Sequence, residues 1–303
     1  MQNPLDLTRF ETDGEITPRP GALIVALGAF IDAGNVQKVL AEHLLAGGEA
    51  RVVASFDVDQ LIDYRGRRPV MVFDTNRWVG YDDPSILLYA LTDRDGQAYY
   101  LLVGPEPDFQ WERLVEAVRM VMASLGINLA VHVHGIPMGV PHTRPVGMTA
   151  HATNPRLIGD ASSPFGRVQV PGSFASLLEL RLGEAGVDSL GFVIHVPHYL
   201  AAAEWAEGAL TALNAVTDAT GLNLPNDDLV TRAGVNTRAI ADELADNEEA
   251  GQLVSALEQQ YDQFVQGTQR ASLLAPQEPE LPSADELGAE FEAFLRSTAD
   301  GDS

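Results

Sequence analysis

Polar side chains that could bind a ligand or move a proton follow four segments that the sequence predicts to be β-strands. Asp32 and Asn35 follow the first of these strands, and Glu106 follows a later one. Two proline-containing loops add four candidates: His142, Arg144, His198 and Tyr199. The carboxyl ends of parallel strands meet at one edge of a sheet, where loops diverge and helix N-termini point to the crevice. We therefore expect these residues to line one rim, suited to a small polar ligand or to acid–base chemistry.

Each candidate also has a structural interpretation. Asp32 and Asn35 are residue types that cap helix N-termini, and Glu106 lies between two prolines that could simply fix a rigid turn. His142 and His198 each follow a proline, and a histidine bonded to a nearby carbonyl is the commoner outcome. The residue types therefore leave capping and ligand binding open.

A basic cluster at Arg65, Arg67 and Arg68 interrupts an otherwise acidic chain. Arg65 and Arg68 are candidates for neutralising a carboxylate or phosphate group. A surface turn held by salt bridges is the alternative interpretation.

No metal site or cofactor is predicted. His132 and His134 point to the same face of a predicted strand and could form a three-imidazole site with His142 or His198, but this spacing is a weak signal. The sequence contains no nucleophile elbow, no phosphate-binding Walker loop and no Gly-x-Gly-x-x-Gly turn. It also contains no cysteine, which excludes disulfides, thiolate metal sites and cysteine nucleophiles.

Composition limits the classes of partner. The 303 residues carry a formal net charge of −24, which repels phosphate backbones, so nucleic acid is not an expected partner. The longest apolar run, 22–31, is far shorter than the roughly 20 residues of a membrane-spanning helix. The N-terminus lacks the basic start and apolar stretch of a signal peptide. We expect a cytoplasmic protein that does not enter a membrane.

The elements that must position these residues alternate between short apolar runs and segments of helical period, which is typical of strands joined by crossover helices. Strands are predicted at 22–27, 51–56, 70–73, 86–91, 99–103, 128–133 and 190–196. Helices are predicted at 36–46, 111–125, 174–182 and 204–219, and one or two more at 236–266. The short spacing between 70 and 103 indicates antiparallel hairpins, so the fold class is α/β with a mixed, largely parallel sheet.

Three regions are predicted along the chain: an α/β domain at 1–235, a helical extension at 236–270 and an acidic tail at 271–303. In the tail, Ser283 to Glu286 has the pattern of a capping box, which predicts a helix start. Leu287, Phe291, Phe294 and Leu295 would form an apolar stripe on that helix. A helix of about 13 residues is marginal alone in water, so we expect it to dock on its own domain, on a second subunit or in a groove of another protein.

Five short segments carry a resemblance to a known family: 32–35, 64–69, 104–107, 141–145 and 196–199. In this order, over about residues 20–265, they resemble the proteasome assembly chaperone 2 family, especially its actinobacterial branch. The resemblance implies a three-layer α/β/α fold like that of nucleoside phosphorylases and peptidyl hydrolases, homo-oligomers, and no established catalytic residues.

The resemblance also implies a function. Eukaryotic and archaeal members act as scaffolds for proteasome subunits, and some dock through a C-terminal hydrophobic-Tyr-x motif. The sequence ends Thr298 to Ser303 without that motif, so docking by that route is not expected.

Two functions therefore compete. One is a non-enzymatic assembly-chaperone-like or interaction protein, with itself and proteasome subunits as partners. The other is an enzyme or small-molecule binder that uses the polar rim. We further expect a homo-oligomer, most plausibly a trimer, with Trp78, Tyr81 and Tyr89 in the interface.

Overall fold

A computed structural model describes residues 3–11, 19–28, 30–159, 166–245 and 247–267 of the chain. Within these ranges no helix is both long enough and apolar enough to cross a bilayer. The tail helix predicted from Ser283 onward lies outside the described residues.

Eight of the described strands form one sheet, and two form a separate hairpin. The strands are β1 (Thr8–Phe10), β2 (Ala22–Ala26), β3 (Arg51–Phe56), β4 (Met71–Asp74), β5 (Arg77–Tyr81), β6 (Ile86–Thr92), β7 (Ala98–Val103), β8 (Leu129–Met138), β9 (Met148–Ala152) and β10 (Asp188–Pro197). The order in the main sheet is β1-β3-β6-β7-β2-β8-β10-β9, and β4 pairs only with β5. The β4–β5 hairpin therefore forms a separate two-stranded sheet and does not pair with the main sheet.

The centre of the sheet is parallel and its flanks are antiparallel. Strand β2 is parallel to both β7 and β8, and β8 is parallel to β10. Strands β6, β3 and β1 pair antiparallel on one side, and β9 pairs antiparallel with β10 on the other. The predicted mixed, largely parallel α/β sheet is confirmed.

The helices are α1 (Val36–Ala46), α2 (Trp111–Leu125), α3 (Phe174–Glu184), α4 (Ala206–Thr220), α5 (Asp227–Ala245) and α6 (Glu248–Gly267). Alternate residues of the strands point to opposite faces of the sheet, which builds two separate cores. On one face, Ile24 and Val131 pack in a cluster with apolar residues of α1 and α4. On the other face, Leu23 and Ala130 share a cluster with apolar residues of α2 and α3. Three layers result, α/β/α, as the family resemblance implied.

Several elements differ from the sequence prediction. Strands β1, β5 and β9 were not predicted, and β8 runs to Met138 instead of ending at Val133. The first of the two helices in the predicted extension, α5, begins at Asp227 and not at residue 236. The added strands are short, and β1 and β9 lie at the two edges of the sheet. The strand conformation of β1 and β9 depends on pairing with β3 and β10, which lie far away in the sequence, and local patterns do not encode such pairing.

Candidate functional site

The carboxyl ends of β2, β7, β8 and β10 lie at one edge of the sheet, because these four strands are mutually parallel. The loops that follow them carry the polar residues predicted from the sequence. These residues therefore share one edge of the sheet. Their hydrogen bonds show which side chains have a structural role and which could contact a ligand.

Asp32 is bonded to backbone groups of two elements. Its carboxylate accepts hydrogen bonds from the backbone N–H of Gln37 (3.0 Å) and Lys38 (3.3 Å) in the first turn of α1. It also accepts one from the N–H of Gly135 in β8 (3.1 Å). Burial raises the pKa of Asp32, while these bonds oppose the shift. Asp32 thus satisfies N–H groups that a helix start leaves unpaired and ties α1 to the sheet. Asn35, in the left-handed conformation, makes no side-chain capping bond.

The loop around Asp32 packs directly on the sheet. A Cβ atom at Gly135 would lie 2.0 Å from the carbonyl oxygen of Ala33, so only glycine allows this approach. Gly34 donates from its N–H to the carbonyl of Ala201 (2.9 Å), which joins the loop after β2 to the loop after β10. This part of the edge is closely packed.

Glu106 caps a different helix. Its carboxylate accepts a hydrogen bond from the backbone N–H of Phe174, the first residue of α3 (2.7 Å). Its backbone carbonyl accepts from Arg67 Nη1 (2.8 Å), and Arg67 Nη2 forms an ion pair with Asp108 (2.7 Å). Burial raises the pKa of Glu106, and the bond from Phe174 opposes this shift. The acidic side chain thus holds α3 against the end of β7.

Arg67 and its two neighbours in the basic cluster, Arg65 and Arg68, have different surroundings. Arg67 holds the loop after β7, whereas Arg65 and Arg68 are exposed on the surface turn that precedes the β4–β5 hairpin. The structure therefore separates Arg65 and Arg68 from the Glu106 contacts that their neighbour makes.

His142, Tyr199 and His198 form one aromatic group at the same edge. The Tyr199 hydroxyl oxygen accepts a hydrogen bond from the backbone N–H of His142 (2.9 Å) and lies 2.8 Å from His142 Nδ1. Burial lowers the pKa of His142, which favours the neutral ring, and Nδ1 of a neutral ring can accept a hydrogen bond from the Tyr199 hydroxyl. The exposed His198 ring packs edge-on to Tyr199, with 5.5 Å between ring centroids. These are the predicted site residues that the structure brings into direct contact.

Arg144 holds helix α6 to this edge. It binds Asp262 in a bidentate pair, with Nε to Oδ1 at 2.8 Å and Nη2 to Oδ2 at 2.7 Å. Its Nη1 also donates to Glu258 (3.1 Å), which accepts a second bond from Thr143. The hydrogen bonds from Arg144 lower the pKa of Asp262. Arg144 is thus engaged with helix α6, and local sequence patterns do not predict partners more than 100 residues away.

Two further features were missing or incomplete in the sequence analysis. The β4–β5 hairpin exposes seven apolar side chains: Val70, Met71, Val72, Phe73, Trp78, Val79 and Tyr81. Trp78 and Tyr81 were predicted interface residues, whereas Tyr89 is half-buried against the core of the domain. On the sheet, His132 lies beside His151 and Glu179, and not beside His142 or His198 as the three-imidazole alternative required.

The fold and this edge together define a class: a three-layer α/β/α protein whose strand-end carboxylates Asp32 and Glu106 cap helices. The model of the PAC2 family matches residues 26–245. The chain belongs to the PAC2 family, which confirms the resemblance drawn from the five short segments.

Several solved structures are similar to this chain. A Mycobacterium tuberculosis protein described as of unknown function, Rv2714, is 39% identical with a TM-score of 0.82, covering 86% of this chain and 90% of that chain. A Corynebacterium glutamicum protein of unknown function is 34% identical with a TM-score of 0.81, covering 87% and 99%. The M. tuberculosis proteasome-assembly chaperone homologue Rv2125 shares the fold at 23% identity, with a TM-score of 0.69 and coverage of 77% and 99%. A comparison with curated proteins gave no match.

Proposed function

We propose that the chain is a non-enzymatic, assembly-chaperone-like interaction protein of the cytoplasm that docks through its β4–β5 hairpin. The observation that carries this proposal is the exposure of the hairpin's apolar side chains. Phe73 is 56% exposed and Trp78 is 63% exposed. Contiguous exposed apolar patches on soluble proteins mark interaction sites.

The hairpin needs a partner to be stable. An isolated two-stranded hairpin is only marginally stable in water. Every residue of β4 is exposed, so neither face of that strand is covered by the domain. The Phe73 and Trp78 rings meet edge-to-face at 5.0 Å, which contributes about 0.5–1.5 kcal/mol. A contact on both faces of the hairpin would supply the missing burial.

The first partner in this proposal is a second copy of the chain. Two copies with a net charge of −24 repel each other unless the contact avoids the acidic surface. Between Val70 and Tyr81 the only charged residues are Asp74 and Arg77, so the hairpin is neutral. The exposed Arg65 and Arg68 lie just before it and complement the acidic surface of a neighbour. We propose a homo-oligomer, with a trimer as the expected form.

Two hairpin variants test this contact. A Trp side chain buries up to about 250 Å², so covering the 63% of Trp78 that is exposed is worth up to about 4 kcal/mol. Trp78→Ser and Phe73→Ser should each weaken self-association at least tenfold in sedimentation velocity of the full chain. Their urea midpoints at low protein concentration should stay unchanged, because these side chains lie outside the domain core.

Val170→Ser is the matched control, because Val170 is 74% exposed but lies outside the hairpin. It should leave self-association as in the wild type. Equal association of wild type, Trp78→Ser and Phe73→Ser would refute the docking role of the hairpin.

The second partner in this proposal is the proteasome. The support is family membership, together with the shared fold of the protein described as a proteasome-assembly chaperone homologue. Affinity capture of the tagged full chain from its native cell should recover proteasome subunits, and capture with Trp78→Ser should recover fewer. An oligomer that captures no proteasome subunit would reject this partner and leave self-association standing.

A second candidate function is small-molecule binding at the strand-end rim. It is favoured by the His142–Tyr199–His198 group, in which a half-buried imidazole and phenol adjoin an exposed imidazole. A thermal-shift screen with nucleosides, phosphates and small carboxylates tests it. A ligand at 100 times its Kd stabilises the folded chain by about 2.7 kcal/mol, so true ligands are readily seen. A screen without shifts would remove this candidate.

A further inference from the structure

Three residues in one row across the sheet bring two histidines together. Gly191 of β10 is the register partner of His132 in β8 and of His151 in β9. Residues in register on neighbouring strands point to the same face, so the two imidazoles flank a position without a side chain. Their ring centroids lie 5.3 Å apart.

Gly191 is what allows the two rings to approach. A Cβ atom there would lie 2.2 Å from His151 Cε1, 2.4 Å from His151 Nε2 and 2.7 Å from His132 Nε2. Any other residue would push the imidazoles apart. The φ angle of Gly191 is not in the left-handed region, so the glycine serves this close approach and not a special backbone conformation.

Helix α3 places a carboxylate on the same two rings. Glu179 Oε1 lies 2.9 Å from His151 Nδ1, and Glu179 Oε2 lies 3.6 Å from His132 Nδ1. The longer distance is beyond hydrogen-bond range. Within the described part of the chain, Glu179 Oε2 and His132 Nε2 are buried and have no hydrogen-bond partner. Glu179 Oε2, which faces His132 Nδ1, thus retains unused hydrogen-bonding capacity, whereas His132 Nε2 lies on the side of the ring that faces Gly191.

Hydrogen bonding alone accounts poorly for this cluster. The His132 side chain is only 5% exposed, and the His134 ring stacks on it with 6.5 Å between ring centroids. At 3.6 Å, the approach of His132 Nδ1 leaves Glu179 Oε2 without a hydrogen bond. A buried polar group without a hydrogen bond destabilises the fold unless another partner satisfies it.

The geometry suits a metal ion instead. One ligand atom from each of His132, His151 and Glu179 can be chosen so that all three lie within 4.8 Å of one another. Metal–ligand bonds of about 2.0–2.2 Å at a tetrahedral angle place ligand atoms roughly 3.3 Å apart. The Glu179 carboxylate oxygens lie at similar distances from the two imidazoles: 2.9 Å from His151 Nδ1 and 3.6 Å from His132 Nδ1. Neutral imidazole and carboxylate are the forms that bind metals.

We propose that His132, His151 and Glu179 bind one divalent first-row transition-metal ion, a site that the sequence analysis did not predict. Two imidazoles and one carboxylate are a donor set used for zinc and for non-haem iron. Mg²⁺ prefers oxygen ligands and near-octahedral geometry, so it is the ion that this site excludes. The side chain of His151 is 39% exposed, which leaves an entry path and an open position for water.

The test is metal binding by the full chain after chelator treatment and removal of the chelator. Titration calorimetry with Zn²⁺ should show one site per chain at micromolar or lower Kd, and Mg²⁺ should show none. Co²⁺ should give the visible absorption of a four- or five-coordinate site. X-ray absorption at the zinc edge should show nitrogen and oxygen neighbours at about 2.0–2.2 Å, with imidazole scattering.

Glu179→Gln and His151→Gln should each weaken Zn²⁺ binding more than 100-fold, because even loss of an outer-shell partner costs about 10–100-fold. Glu184→Gln is the matched control: Glu184 is on the same helix, in an exposed ion pair with Arg181 at 2.8 Å. It should bind Zn²⁺ like the wild type. The spectroscopic measurements use the wild-type chain, so a variant that fails to fold does not rescue the proposal. No stoichiometric Zn²⁺ binding, or equal binding by the Glu179 and His151 variants, would overturn it.

Discussion

Asp32 offers the sharpest test of how this edge of the sheet is built. If its carboxylate serves as a cap, replacing it with alanine removes the acceptor for three backbone N–H groups, those of Gln37, Lys38 and Gly135. Two of these begin α1, and the third fixes β8 to the loop. The variant Asp32→Ala should therefore lose stability without touching the hydrophobic core.

The size of the loss follows from these bonds. Loss of a helix N-cap costs about 0.5–2 kcal/mol, and a hydrogen bond to a charged group contributes about 1.5–3 kcal/mol. The cost of keeping a buried carboxylate charged offsets part of this, since burial raises the pKa of Asp32. We expect Asp32→Ala to lower the free energy of unfolding by about 2–4 kcal/mol, and Asp32→Asn, which keeps one acceptor oxygen, by less.

Urea unfolding of the full chain measures both variants. Asp242→Ala, an exposed position on α5, is the control and should change the free energy of unfolding by less than about 0.5 kcal/mol. A loss in Asp32→Ala no larger than that of the control would refute the capping role and return Asp32 to the ligand-binding interpretation.

The pH dependence of the free energy of unfolding tests the protonation of Asp32 independently. Because the folded-state pKa of Asp32 is raised above 3.8, the folded chain binds this proton more tightly than the unfolded chain does. The stability linked to this proton is complete below pH 3.8 and is lost as pH rises through the folded pKa. The stability of wild type relative to Asp32→Asn should therefore be greatest at acid pH and fall to a plateau. A relative stability that rises with pH would show that the bonds from N–H groups outweigh burial.

Two further variants test other contacts of the same edge, and a deletion tests the predicted tail helix. Gly135→Ala should lower the free energy of unfolding by about 1–3 kcal/mol or more in urea unfolding, because its Cβ would lie 2.0 Å from the backbone oxygen of Ala33; a loss below about 1 kcal/mol would contradict this packing. Arg144→Met should raise amide hydrogen exchange in α6 while leaving α1 unchanged, since Arg144 joins α6 to the edge through Asp262; unchanged exchange in α6 would contradict that anchoring. Deleting 277–303 should lower the melting temperature or the oligomer mass if the predicted tail helix docks on the protein itself, and if neither changes, self-docking is excluded.

The sequence predicts those strands and helices whose local hydrophobic pattern agrees with their place in the folded sheet. The run 22–27 and the helical period that follows it predict β2 and α1, because buried parallel strands are short and continuously apolar. Strand β9 could not be predicted in the same way. Its residues follow a loop rich in glycine and proline, and its strand conformation depends on pairing with β10, about 40 residues away.

In the candidate site, the positions of the residues were predictable from the sequence, whereas their bonding partners were not. The strand-end positions of Asp32, Glu106 and His142 follow from the pattern of strands and loops. Their bonding partners do not, since Glu106 meets Phe174 across 68 residues and Arg144 meets Asp262 across 118. The His132–His151 pair depends on the register of three strands and on the missing side chain of Gly191, which single-sequence patterns do not fix.

The native mass of the full chain tests the central claim most directly. We propose that the neutral, exposed β4–β5 hairpin docks on a partner, and the first partner proposed is a second copy. Light scattering of the wild-type chain at micromolar concentration should therefore give a multiple of 32.6 kDa, with three copies expected. A mass of 32.6 kDa across the micromolar range would contradict docking through the hairpin between copies of this chain.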